Sequence, residues 1–184
     1  MNAIISPITL IQMNTPLAYF LSWHAYGTWL PGHHRGYVDD EHRQFGEAFA
    51  DADPKIVLAV QQEMSHPVFR LDEPRRVAVQ EAVDEVCRYR GWQLFAFNAR
   101  TTHAHAVVAA AVSPEKVLGD FKAYATRRLR RDGLADADSR VWATHGSTIY
   151  VWQPGHFNAV LEYVVARQGV PMTPPPIDRR EPGR

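Results

Sequence analysis

Two alternating runs stand back to back in the middle of the chain. Trp92–Asn98 (WQLFAFN) and Ala104–Val112 (AHAVVAAAV) each read as a strand, with Ala99–Thr102 in the turn region of a β-hairpin. A helix signal flanks the hairpin on each side. Upstream, a helix opens at Pro74, places Val79, Ala82, Val83 and Val86 at i, i+3, i+4, i+7 spacing and stops at Gly91. Downstream, Ser113-Pro114 is a cap with a first-turn proline. The helix it starts carries Val117, Leu118, Phe121, Tyr124 and Ala125 on one side and ends near Gly133. One further strand lies outside each helix: Tyr19–Trp29, ending at Pro31-Gly32, and Ser147–Trp152. The order β-α-β-β-α-β is the ferredoxin-like split βαβ pattern, so the expected fold is α/β (α+β) around a central antiparallel sheet.

Two additions surround that frame. Phe157, Val160, Leu161 and Val164 mark an extra C-terminal helix closed by Gly169. A long insert, Gly32–Asp72, follows the first strand, and a connection of that length is usually functional or carries its own element. Inside it Asp53-Pro54 caps a short helix, with Ile56, Val60 and Met64 on one stripe. The expected organisation is a flexible segment 1–16, one catalytic domain over 17–169 and a disordered Pro-rich tail over 170–184.

Composition narrows the classes of function. At 184 residues one core suffices without staples. No apolar run reaches the ~18 residues of a membrane span, so no membrane partner is expected. The first residues, MNAIISPITLIQM, lack a basic n-region and read as a flexible start, not a signal peptide. Cys87 is the only cysteine, which excludes an internal disulfide and a multi-cysteine zinc site and makes the cytoplasm the expected compartment. Twenty Lys and Arg against twenty Asp and Glu give a net charge of +0. Duplex DNA is therefore not held by bulk charge, although a local basic patch remains open.

Nine histidines direct attention to His103-Ala104-His105. On a strand, side chains two apart share one face, about 6.6–6.8 Å apart along the chain. Two imidazoles so placed can share one divalent metal and need at least one further ligand; the alternative is a polar sheet face. Tyr124 sits among Lys122, Arg127, Arg128, Arg130 and Arg131. Cations beside a phenol favour the phenolate and also bind phosphates, which suits a nucleophile for a phosphodiester. The alternative is a core aromatic on a helix whose last turn is complemented by Arg. His145, in His145-Gly146-Ser147-Thr148, stands where it could orient a phosphate or cap a loop. Of the aromatics Trp23, Tyr26, Trp29, Trp142, Tyr150 and Trp152, most belong in a core, and any exposed one could stack an unpaired base.

Taken in order, HAH on a strand and FKAYATRRLR on the next helix resemble the single-tyrosine HUH transposases, including the REP-associated tyrosine transposases. YGTWLPGHHRGYVDD, GWQLFAFNARTTHAHAVV and VWATHGSTIYVW extend the resemblance over about Tyr19 to Gly169. It implies a metal-dependent enzyme that nicks single-stranded DNA beside imperfect hairpins and rejoins the strands. His103 and His105 would hold Mg²⁺ or Mn²⁺. Tyr124 would attack the scissile phosphate, leaving a 5′-phosphotyrosine and a free 3′-OH. A homodimer in the cytoplasm, associated with the nucleoid, is implied as well. The position one turn after the tyrosine, where relatives often carry a metal ligand, is Arg128, which cannot bind a cation. Asp120, one turn before Tyr124, is the expected third ligand, with His145 as the other candidate. Lys122, Arg127, Arg128, Arg131, Arg35 and His145 are the expected DNA contacts, and His33 and His34 could add to them.

Two other readings stay open. Arg128 in the ligand position suits a domesticated, weak or inactive hairpin-binding protein. A two-histidine phosphoesterase needs two H-x-T/S motifs, and the chain offers one, His145-Gly146-Ser147.

Overall fold

The structure is a computed structural model, and it describes residues 15–30 and 53–166. The expectations placed on the N-terminal segment, on His33, His34 and Arg35, on Gly169 and on the tail fall outside those residues.

Four strands form one antiparallel sheet in the order β2-β3-β1-β4. They are β1 (Ala18–Ala25), β2 (Gln93–Ala99), β3 (His103–Ala109) and β4 (Trp142–Val151). The helices are α1 (Pro54–Glu63), α2 (Glu73–Arg90), α3 (Pro114–Arg131) and α4 (Pro154–Ala166). β2 and β3 make the expected hairpin, and β1 lies between β3 and β4. This is the split βαβ arrangement: β3 separates the parallel strands β1 and β2. Among the described residues, no helix is long and apolar enough to cross a membrane.

Local chemistry sets the ends of the helices. Asp72 caps α2 by accepting from the Arg75 amide at 3.1 Å, and Gly91 closes the helix at φ 69°, a conformation that favours glycine. Ser113 caps α3 through the Lys116 amide at 3.3 Å. Asp53 caps α1 through the Lys55 amide, but no residue of α1 is buried, so the stripe Ile56, Val60 and Met64 is not part of either core.

Each sheet face has its own apolar layer. Leu21, Trp23, Ala104, Ala106 and Val108 point to α2 and α3, where they meet Val79, Val83, Val86, Phe121 and Leu129. Ala18, Ala96, Val107 and Val151 point the other way, against Val160 and Val164 of α4. Burial of each such large side chain contributes about 1.5–3 kcal/mol. The buried Asn98 amide donates to the Val164 carbonyl at 3.0 Å and ties α4 to the sheet.

Three strand boundaries differ by more than two residues from the sequence reading, the first being the end of β3 at Ala109 instead of Val112. β1 ends at Ala25, because Gly27 takes a left-handed φ of 71° and turns the chain before Trp29. β4 begins five residues earlier than Ser147, at Trp142. Within β4, Gly146 serves close packing. A Cβ there would lie 2.7 Å from Leu118 Cδ2 and 2.8 Å from the Ser22 carbonyl oxygen.

Candidate active site

The site follows from strand alternation. Ala104, Ala106 and Val108 belong to the layer under α2 and α3, so His103, His105 and Val107 take the opposite face, the one α4 covers. The β1–β3 register sets Phe20 opposite Val107, Ser22 opposite His105 and His24 opposite His103. Two adjacent strands thus bring three histidines and a serine to one patch. The His103 and His105 rings are 4.9 Å apart between centroids, and His24 lies 5.4 Å from His103.

His105 is the best-defined member. It is 7% exposed, stacked on Phe20 at 5.7 Å and met edge-on by Tyr163 at 5.4 Å. Its Nδ1 is hydrogen-bonded to Ser22 Oγ at 2.6 Å, while its buried Nε2 has no hydrogen-bond partner. Burial, then the neighbouring His103 and His24, pushes its pKa down to about 3. The ring is therefore neutral at physiological pH, which is the form that binds metal.

Tyr163 comes from α4. Val160 and Val164 bury that helix against the sheet, and Tyr163 packs on Phe20 at 5.9 Å while staying 39% exposed. A phenol beside the histidine pair and open to solvent can reach an incoming phosphate.

Tyr124 does not take that place. It lies on α3, partly buried against the layer of Trp23 and Phe121, with the Arg127 guanidinium 4.3 Å from its ring centroid. The sheet separates it from His103 and His105, so the tyrosine expected to share their site is on the wrong face. Asp120 is excluded from the pair for the same reason. Its carboxylate is engaged by Arg90 at 3.1 Å and by Lys116 on the α2–α3 side. Among the described residues, no cluster of three or more His, Cys, Asp or Glu side chains has metal-site geometry, and His24 beside the pair does not complete one.

The basic residues of α3 are also committed elsewhere. Lys122 is half-buried, which lowers its pKa, and its ammonium donates to the carbonyls of Ala143, Thr144 and His145 at 2.9–3.4 Å. It holds the start of β4. Arg128 pairs with Glu81, Glu85 and Asp132, bracing α3 against α2. Arg131 pairs with Asp132 at 3.0 Å and remains exposed. His145 is exposed, in the stretch of β4 where the pairing with β1 shifts register between Gly146 and Trp142.

Ser22, His24 and Tyr163 are the residues that sequence reading left out of the site. Period-two alternation along LSWHA, paired with HAH, is the signal that places the first two.

No family model matches the chain, and no curated protein does. Solved structures similar to it include these two. One is a REP-associated tyrosine transposase bound to a REP hairpin, with 10% identity, a TM-score of 0.44, and coverage of 89% of this chain and 70% of that one. The other is a protein of Deinococcus radiodurans R1 named as a candidate transposase, with 12% identity, a TM-score of 0.43, and coverage of 81% of this chain and 88% of that one.

Proposed function

We propose that this chain nicks and rejoins single-stranded DNA through a tyrosine, with Tyr163 as the nucleophile in place of Tyr124. The observation that carries the reading is the placement of the Tyr163 ring 5.4 Å from His105, whose buried Nε2 has no protein partner. The ordered resemblance of the sequence to HUH transposases points to the same chemistry and supplies the hairpin-flanked substrate.

In the proposed step the Tyr163 oxygen attacks the scissile phosphorus and the P–O3′ bond breaks. The phenolic proton passes to solvent, to which Tyr163 is open. The leaving 3′ oxygen takes up a proton, so a 5′-phosphotyrosine and a free 3′-OH result. Attack by a 3′-OH on that linkage reverses the step or joins a new end, and no nucleotide cofactor is consumed. His103 and His105 would hold a divalent cation, the rest of its coordination coming from water and phosphate oxygens. Nitrogen donors suit Mn²⁺ better than the harder Mg²⁺. When bound, the cation supplies Lewis-acid polarisation of the phosphate. Exposed His145, in the first half of β4, would contact the DNA strand.

The test is an adduct assay with Mn²⁺ and labelled single-stranded hairpin DNAs on a denaturing gel. A protease-sensitive shifted band that survives Tyr124→Phe and disappears in Tyr163→Phe is expected. Survival in Tyr163→Phe overturns the assignment. Hairpin binding with no band in any variant identifies a DNA-binding protein without the nicking activity.

A further inference from the structure

We propose that Ser22 is the positioning residue that fixes the tautomer of His105, holding the proton on Nδ1 and leaving Nε2 as a bare lone pair. What that lone pair is for rests on the function proposed above. The tautomer itself rests on contacts within this chain.

A neutral imidazole carries one N–H, so two arrangements are open. In the first, Ser22 donates to Nδ1 and the proton sits on Nε2. That leaves a buried N–H donor with no acceptor, at the full desolvation cost of the group, and no cation can relieve it. In the second, Nδ1–H donates to Ser22 Oγ and the group left over is an acceptor. A buried acceptor of that kind is the one a cation satisfies. Metal-bound histidines hold their orientation by donating the other ring N–H to a neighbouring acceptor. Here the neighbour is a hydroxyl on the adjacent strand.

Three features keep the arrangement in place. Ser22 is the direct cross-strand partner of His105, so the backbone register sets the contact. The Oγ–Nδ1 separation is 2.6 Å. Phe20, stacked at an interplanar angle of 17°, and Tyr163, edge-on at 76°, clamp the ring and oppose a flip that would exchange its nitrogens.

The experiment is ¹⁵N–¹H correlation of the histidine rings in the metal-free full chain, with His105 assigned by comparison with His105→Gln. Wild type should show a protonated Nδ1 and an unprotonated Nε2. Ser22→Ala should move the proton to Nε2 in part or in whole, and Ser22→Thr, which keeps the hydroxyl, should restore the wild-type pattern. Mn²⁺ titration followed by water-proton relaxation should show affinity about 10–100-fold weaker in Ser22→Ala and recovered in Ser22→Thr. An Nε2–H signal in wild type, or a Ser22→Ala spectrum identical to wild type, overturns the proposal. A tautomer switch in a protein that binds no Mn²⁺ supports the role of Ser22 and removes the metal from the proposed function.

Discussion

Acidifying the metal-free protein from about pH 8 to about pH 5 should cost about 2 kcal/mol of folding stability through His105 alone. The groups facing its ring are His103 on the same strand, His24 and Ser22 on β1, and Tyr163 on α4. None supplies a negative charge at these pH values that would hold an imidazolium. Burial, with His103 and His24 adding to it, takes the folded pKa down to about 3, whereas an unfolded histidine titrates near about 6.5. At pH 8 both states hold a neutral ring and nothing is lost. Below about 6.5 the unfolded chain takes up a proton that the folded chain refuses, so stability falls by about 1.4 kcal/mol per pH unit. The fall continues until the folded ring protonates near pH 3. By pH 5 about one and a half units of that slope have accumulated, which gives the 2 kcal/mol.

The assay is denaturant unfolding at both pH values, with a chelator present, for wild type and His105→Gln. Glutamine is neutral throughout. The variant loses the ring contacts with Phe20 and Tyr163 at every pH, so that loss is a constant offset and cancels when the two pH values are subtracted. Wild type should lose about 2 kcal/mol more than the variant over the interval. Parallel profiles would refute the reasoning, since they would mean that His105 is as easily protonated in the folded chain as in the unfolded one.

Three further outcomes follow from the packing. Gly146→Ala should destabilise by about 1–3 kcal/mol in the same unfolding assay, because its Cβ would meet the Ser22 carbonyl and Leu118. Asn98→Ala should cost about 1–3 kcal/mol by removing the tie to the Val164 carbonyl. Amide exchange along α4 should speed up with it, and the yield of the adduct proposed to form on Tyr163 should fall. Arg128→Ala should lower the unfolding midpoint slightly at low salt and not at high salt, and hairpin binding on a native gel should not change, because Arg128 serves Glu81, Glu85 and Asp132.

Most of the frame was legible because it is written in local signals. Gly91 after a periodic run, Ser113-Pro114 before one, and the closely spaced strands around Ala99–Thr102 each specify an element boundary within a few residues. The start of β4 was less legible, because glycine has two uses. In a turn it supplies conformational freedom, and within β4 it supplies room for Leu118 and Ser22. The difference lies in a contact between β4, α3 and β1, which no local window contains.

Tyr124 was expected beside the histidines for a related reason, and here topology holds the remedy. Tyr124 attracts attention through its cationic neighbours on one helix, but a shared site requires a shared sheet face. In a split βαβ fold both crossover helices lie on one face, because parallel crossovers are right-handed. The helices α2 and α3 are those crossovers. Whether the histidines face them is decided by the residues between and after: Ala104, Ala106 and Val108 continue the layer of Leu21 and Trp23, so His103 and His105 must turn away from it. The regular element left to cover their face, among the described residues, is α4. A tyrosine able to act with the pair therefore belongs on α4, and Tyr163 is the tyrosine on that helix. Charge near a phenol is a weaker guide to its partner than the parity of the strand that carries the histidines.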